Sequence, residues 1–184
     1  CGTEVLLNGN SEISIIQVDK SGLGGINQDY LKASGNLIGN SLLEVSDGNI
    51  LICGTVENPQ TGITDIYLNK LSASLGTVPG WENPKRFTVT EDVVSLSGNS
   101  VRMVSDNSYA IIGTRTETGN DDIILLHSDA AGNEVSRIVF GDEGFQQGLS
   151  LEVTGDGGLI LVGNNGSEDN SMMALVRTDA AGKL

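Results

Sequence analysis

The chain has 184 residues, of which 24 are acidic and 10 basic, giving a net charge of −14. A field of that sign repels phosphate, so nucleic acid and anionic lipid surfaces are excluded as partners. An apolar share of 38% with 25 glycines belongs to a folded globular chain rather than a disordered one, and no apolar run approaches the ~18–20 residues of a membrane-spanning helix.

The segments of regular pattern repeat along the chain. Gly39-Asn-Ser-Leu-Leu-Glu-Val-Ser46 returns as Gly98-Asn-Ser-Val-Arg-Met-Val-Ser105 and Gly148-Leu-Ser-Leu-Glu-Val-Thr154. Each is followed by a second motif: Asp47-Gly-Asn-Ile-Leu-Ile-Cys-Gly54, Asp106-Asn-Ser-Tyr-Ala-Ile-Ile-Gly113 and Asp156-Gly-Gly-Leu-Ile-Leu-Val-Gly163. A third motif comes next: Asp65-Ile-Tyr-Leu-Asn-Lys-Leu-Ser72, Asp122-Ile-Ile-Leu-Leu-His-Ser-Asp129 and Met172-Met-Ala-Leu-Val-Arg-Thr-Asp179, with an earlier copy at Glu12-Ile-Ser-Ile-Ile-Gln-Val-Asp19. Three motifs in fixed order define a repeat of about 53 residues. The runs are short, rich in Ile, Val and Leu, and bounded by Asp-Gly, Gly-Asn and Ser-Gly turns, so each motif predicts a strand. In one unit these are strand A (Leu42–Val45), B (Ile50–Cys53), C (Ile66–Leu71) and a less regular D around Trp81–Val89.

Four antiparallel strands per repeat of this length predict an all-β chain of β-propeller class, built from four-stranded blades. The repeat resembles the blades of bacterial β-propeller lipoproteins and of the kelch-like superfamily, whose units run Asp-Gly-Gly, three apolar residues and Gly, then Asp-x-x-Leu-x-Lys-x-Asp. Asp156 to Gly163 and Leu175 to Gly182 carry that pattern best, and the paired glycines with spaced Tyr and Trp of kelch proper are absent. The resemblance spans nearly the whole chain and implies a fold rather than a ligand. Repeat units fall at approximately 1–38, 39–97, 98–147 and 148–184, in one propeller domain or part of one. The strand count is C-D, A-B-C-D, A-B-C-D and A-B-C, about three and a half blades.

A chain opening on Cys1-Gly2 looks like a processed bacterial lipoprotein, in which the first cysteine carries the acyl chains. That resemblance implies the cell envelope, at the outer membrane surface or in the periplasm, with a lipid anchor as the only membrane contact. Cys1-Gly2-Thr3 also matches Cys53-Gly54-Thr55 in the repeat, which fits an internal position in a longer chain equally well.

Candidate chemistry is sparse. His127 is the only histidine, and the matching positions hold Gln17, Lys70 and Arg177, which predicts a polar, solvent-facing slot on strand C. A lone histidine gives a triad or a histidine metal site little material, and no cofactor is expected. Along strand A, Glu44 and Glu152 are read as matching positions near the axis, with Arg102 beside Met103 in the third copy. Two such carboxylates could line the channel or, if paired, serve glycoside hydrolysis. Trp81 is a candidate for stacking on a sugar or for the interior. The acidic connections between strands B and C offer Asp121, Asp122, Glu168 and Asp169 as weak calcium candidates.

These features predict a non-catalytic scaffold that binds protein or glycan through its loops. The alternatives are a glycan-active enzyme fragment using axial carboxylates, and an assembly part that completes its propeller by self-association or with a second chain.

Overall fold

A computed structural model describes residues 2–6, 9–22, 25–88, 94–104, 107–166 and 170–184, the side chains of 25–27 excepted. Among the described residues fourteen strands form four antiparallel sheets, and in each sheet consecutive strands are hydrogen-bonded neighbours. The first sheet holds β1 (Gly2–Val5), β2 (Ser11–Val18) and β3 (Gly25–Leu31). The second holds β4 (Leu37–Glu44), β5 (Ile50–Glu57), β6 (Thr64–Leu71) and β7 (Lys85–Phe87). The third holds β8 (Ser95–Met103), β9 (Tyr109–Glu117), β10 (Asn120–Ser128) and β11 (Glu134–Phe140). The fourth holds β12 (Gln146–Val153), β13 (Leu159–Asn165) and β14 (Met172–Thr178). Each is an up-and-down blade, and the all-β, four-stranded architecture expected from the repeats is present. The count differs at the start. Gly2–Val5 is a paired B strand, so the sheets hold three, four, four and three strands.

The sheets stack face to face, and three apolar clusters lie between them. Ile13 and Ile15 of the first sheet meet Leu37, Ile52, Val56, Tyr67 and Leu71 of the second. Leu51, Cys53, Ile66 and Leu68 of the second meet Val101, Tyr109, Ile111, Ile124 and Leu126 of the third. Ala110, Ile112, Ile123 and Leu125 of the third meet Leu151, Leu159 and Leu161 of the fourth. Side chains alternate along a strand, so residues of one parity face the following sheet and those of the other face the preceding one. This explains the near-continuous apolar runs of strands B and C in the middle sheets, which are buried on both faces. Each fully buried Leu or Ile here contributes about 1.5–3 kcal/mol.

The repeated glycines have a physical cause. In all three complete strand A–strand B pairs the register slips after the motif glycine, between Gly39 and Ser41, Gly98 and Ser100, and Gly148 and Ser150. Such a bulge bends the inner strand. It also brings that glycine onto the preceding sheet: a Cβ on Gly98 would lie 2.6 Å from the Gly54 carbonyl oxygen and 3.0 Å from Cys53 Sγ. A Cβ on Gly148 would meet the Gly113 carbonyl and Ile112 in the same way. The asparagine after the glycine then clamps the next blade. Asn40 Nδ2 donates to the Gly98 carbonyl at 2.8 Å and Asn99 Nδ2 to the Gly148 carbonyl at 2.5 Å. The fourth sheet carries Leu149 at this position, which has no such donor.

Candidate functional site

The axial carboxylates do not form a pair. Glu44 lies opposite Ile50 in β5, whereas Glu152 lies opposite Ile160 in β13. Since Ile50, Tyr109 and Leu159 are the same repeat position, Glu44 matches Met103 and Val153, and Glu152 matches Arg102 and Leu43. The expected equivalence was one residue out of register, and one residue turns a side chain to the other face of its sheet. The neighbours agree. Met103 packs on the cluster between the second and third sheets and Val153 on that between the third and fourth, so Glu44's position faces the preceding sheet. Leu43 packs toward the third sheet, so Glu152's position faces outward from the fourth. Glu152 is also occupied: Arg102 Nε donates to its Oε2 at 3.0 Å, while Arg102 Nη1 donates to the Val101 carbonyl at 2.9 Å. Glu44 is exposed.

Trp81 is not a stacking platform. It is 5% exposed, within the cluster between the second and third sheets. Its ring lies under the Gly132 turn, with Lys85 Nζ 5.4 Å from the ring centroid. The expected strand D is confined to Lys85–Phe87, because Trp81 leaves the sheet to fill this space.

The slot on strand C is open to solvent at Arg177, half-buried at Gln17 and His127, and buried at Lys70. Lys70 Nζ donates to Asp47 Oδ2 at 2.8 Å, and Arg177 Nη2 to Asp156 Oδ2 at 2.7 Å, each closing an A–B turn onto its own sheet. The Asp47 carboxyl is held below its usual range, first by the Lys70 hydrogen bond and next by the Asn49 backbone. His127 occupies the slot in the third sheet. Its Nδ1 is 3.3 Å from Ser136 Oγ, and its Nε2 is buried without a hydrogen-bond partner among the described residues. Burial pushes the imidazole below its usual value, against the opposing Asp179 charge.

Asp121 and Asp122 belong to β10 rather than to a loop, because the B–C connection here is the two-residue turn Thr118-Gly119. Asp122 is buried and Arg115 Nη1 donates to its Oδ2 at 3.1 Å, so that carboxylate already has an ionic partner, which it shares with Glu117. No three acidic, histidine or cysteine side chains converge as a metal site among the described residues. Glu168 and Asp169, like Cys1, lie outside the described residues. Cys53 is fully buried, and burial pushes its thiol up to about 12.

The two ends of the blade stack differ. At one end lie the A–B and C–D turns. All three A–B turns have five residues and one hydrogen-bond scheme, as in Val45 N to Asn49 O at 2.9 Å and Thr154 N to Gly158 O at 2.8 Å. At the other end the B–C connections run from two to six residues, and two of them share a Thr-Gly pair, Thr61-Gly62 and Thr118-Gly119. Here Glu117, Asn120, Asp142, Glu143 and Gly144 line an open depression of about 540 Å³ between the third and fourth sheets. Its floor is cross-braced. Gln146, which is buried, donates from Nε2 to Asp142 Oδ1 at 3.2 Å and to Asn165 Oδ1 at 3.1 Å. Asn120 Oδ1 accepts from the Gly144 amide at 2.8 Å, and the Asp121 amide donates to the Gly144 carbonyl at 2.9 Å. Asp142-Glu143-Gly144 stands outside the repeated motifs of the sequence. Its partner Asn120 sits 24 positions away in the chain, and no motif connects the two.

No protein-family model matches the sequence, and no curated protein does. Among solved structures the chain is similar to the endo-arabinase from Bacteroides thetaiotaomicron VPI-5482, with a TM-score of 0.55 and 16% identity, over 95% of this chain and 68% of that one. At that identity the likeness concerns the fold, and it agrees with the β-propeller architecture.

Proposed function

We propose that the chain is a non-catalytic β-propeller module of the bacterial cell envelope that binds glycan at the end of the stack bearing the variable B–C connections. The braced depression carries this reading. The opposite end holds A–B turns of one five-residue scheme in the three sheets that have them, beside C–D connections of five to thirteen residues, whereas the end with the depression bears the B–C connections. These vary from blade to blade on a rigid frame, which is where recognition resides in such folds. The braced depression presents Asp142 and Glu143 to solvent, beside a half-buried Glu117 carboxylate paired with Arg115, and carboxylates and amides are the acceptors and donors that sugar hydroxyls need. Glycan is favoured over protein by the likeness to a glycan-active protein and by the polar lining. The envelope location follows from the resemblance to propeller lipoproteins. Its check is whether the native protein partitions with the membrane fraction.

The experiment is titration calorimetry with arabinan as the first probe, alongside a reducing-end assay. Binding without release of reducing ends is expected, with Asp142→Ala or Glu143→Ala weakening it about tenfold, the loss of one charge-assisted hydrogen bond. Absence of binding to arabinan and to a panel of other glycans overturns the ligand class. The second reading, a glycosidase with axial carboxylates, is favoured only by the neighbour's activity. Reducing ends released by the chain and lost in Glu44→Gln or Glu152→Gln would establish it instead.

A further inference from the structure

The three A strands share one more repeat position, two residues before the bulge glycine. It is Leu37 before Gly39, Leu96 before Gly98 and Gln146 before Gly148. Leu37 lies in the cluster between the first and second sheets, and Leu96 in that between the second and third, so the position faces the preceding sheet. Both leucines are 0% exposed, and Gln146, at the junction of the third and fourth sheets, is 4% exposed. A slot that is apolar in two blades thus holds a buried amide in the third. Burying an amide costs free energy unless its donors and acceptor are matched, and here all of them are. Nε2 donates to Asp142 Oδ1 at 3.2 Å and to Asn165 Oδ1 at 3.1 Å, while Oε1 accepts from the Asp142 amide at 3.4 Å. Gly141 permits the close approach, since a Cβ there would lie 2.9 Å from Gln146 Oε1.

The rest of this connection is held by other groups. Asn120 Oδ1 accepts from the Gly144 amide, the Asp121 amide donates to the Gly144 carbonyl, and the Gly166 amide donates to the Phe145 carbonyl at 2.8 Å. Gln146 acts on Asp142, which it grips at both the amide and the carboxylate and which is exposed at the rim of the depression. We propose that Gln146 is the positioning residue of the depression, fixing Asp142 for a ligand hydroxyl and tying it to Asn165 at the end of β13. For its ligand the inference rests on the glycan reading; the placement of Asp142 stands without it. A local rule kept at two equivalent positions and broken at the third marks a functional site. Leucine already fits this position twice, so the packing and positioning roles separate. Gln146→Leu keeps the slot filled with a side chain of similar volume, and the freed oxygens of exposed Asp142 and half-buried Asn165 turn to water.

The test is Gln146→Leu in the full chain, with three readouts. The melting midpoint should lie within about 4 °C of the unaltered chain or above it. The heteronuclear NOE of the Asp142 amide should fall while that of Gly144, held by Asn120, stays unchanged. Affinity for arabinan should fall about tenfold, the loss of one charge-assisted hydrogen bond. Gln146→Met, unbranched like glutamine and without its donors, gives the same readouts if the leucine variant does not fold. A midpoint lowered further makes Gln146 a structural residue and overturns the proposal. An unchanged NOE at Asp142 overturns it, and so does an unchanged affinity in a chain that binds arabinan. If the unaltered chain binds neither arabinan nor the wider glycan panel, the ligand class fails, and the midpoint and the NOE alone decide the positioning role.

Discussion

The interface between the second and third sheets and the outer face of the fourth are made of the same repeat positions. Leu68 and Leu175 occupy equivalent places on equivalent strands, yet one is fully buried and the other is 62% exposed. The difference arises outside the blade. A blade carries the apolar pattern for two neighbours, and burial depends on whether both are present. Contacts of this nearest-neighbour kind make stability a sum of blade terms and interface terms.

The sharpest way to break that comparison is to truncate both leucines. Leu68→Ala should cost about 2–5 kcal/mol, as a cavity in a closed interface does. Leu175→Ala should stay within about 0.5 kcal/mol in dilute monomer. Urea denaturation of each variant measures both, and similar losses would show that blade position, not the neighbour, sets the cost.

A smaller effect separates two glycines. Gly98→Ala places a methyl against the Gly54 carbonyl and Cys53 at a closed interface, and should cost about 1–3 kcal/mol. Gly155→Ala, in an A–B turn where nothing lies within 4 Å of the added atom, should be neutral within about 0.5 kcal/mol. Thermal melts of the two variants, run together, decide the point.

The smallest effect concerns pH. Burial disfavours the charged ring of His127, so its folded pKa lies below the ordinary imidazole value of 6.5. The unfolded chain therefore takes up the proton first. The stability tied to the neutral ring is full above that value and is lost as pH falls through the folded pKa. Denaturation midpoints should fall on acidification from about pH 7.5 to about 5.5, and His127→Gln should flatten that slope. An unchanged slope would place the titrating group elsewhere.

The repeats made strands B and C legible because those strands are buried on both faces and read as unbroken apolar runs. Strand A was half hidden. The bulge after Gly39 breaks its alternation, so only Leu42–Val45 stood out of a strand that begins at Leu37. The same strand misled the assignment of Glu44 and Glu152, since three copies of one motif were compared without the cross-strand register that fixes which face each residue takes. Strand D was the least legible, because its length is not constant: β7 keeps three residues where β3 and β11 have seven. The depression at Asn120 and Asp142 was invisible for a different reason. It belongs to one blade junction alone, and a method that finds what repeats passes over what does not.

The asparagine clamp gives the stack a direction. Each clamp runs from the amide of an earlier blade to the carbonyl of a later one, at Asn40 to Gly98 and Asn99 to Gly148. The unit from 98 to 147 both receives and gives a clamp, so it could be duplicated in tandem without loss. The unit beginning at Gly148 receives one but, with Leu149, gives none. Shuffling the repeats is therefore not neutral: a recombinant that moved this last unit inward would break the line of hydrogen bonds at its junction, and the gene has a grammar of order as well as a repeat.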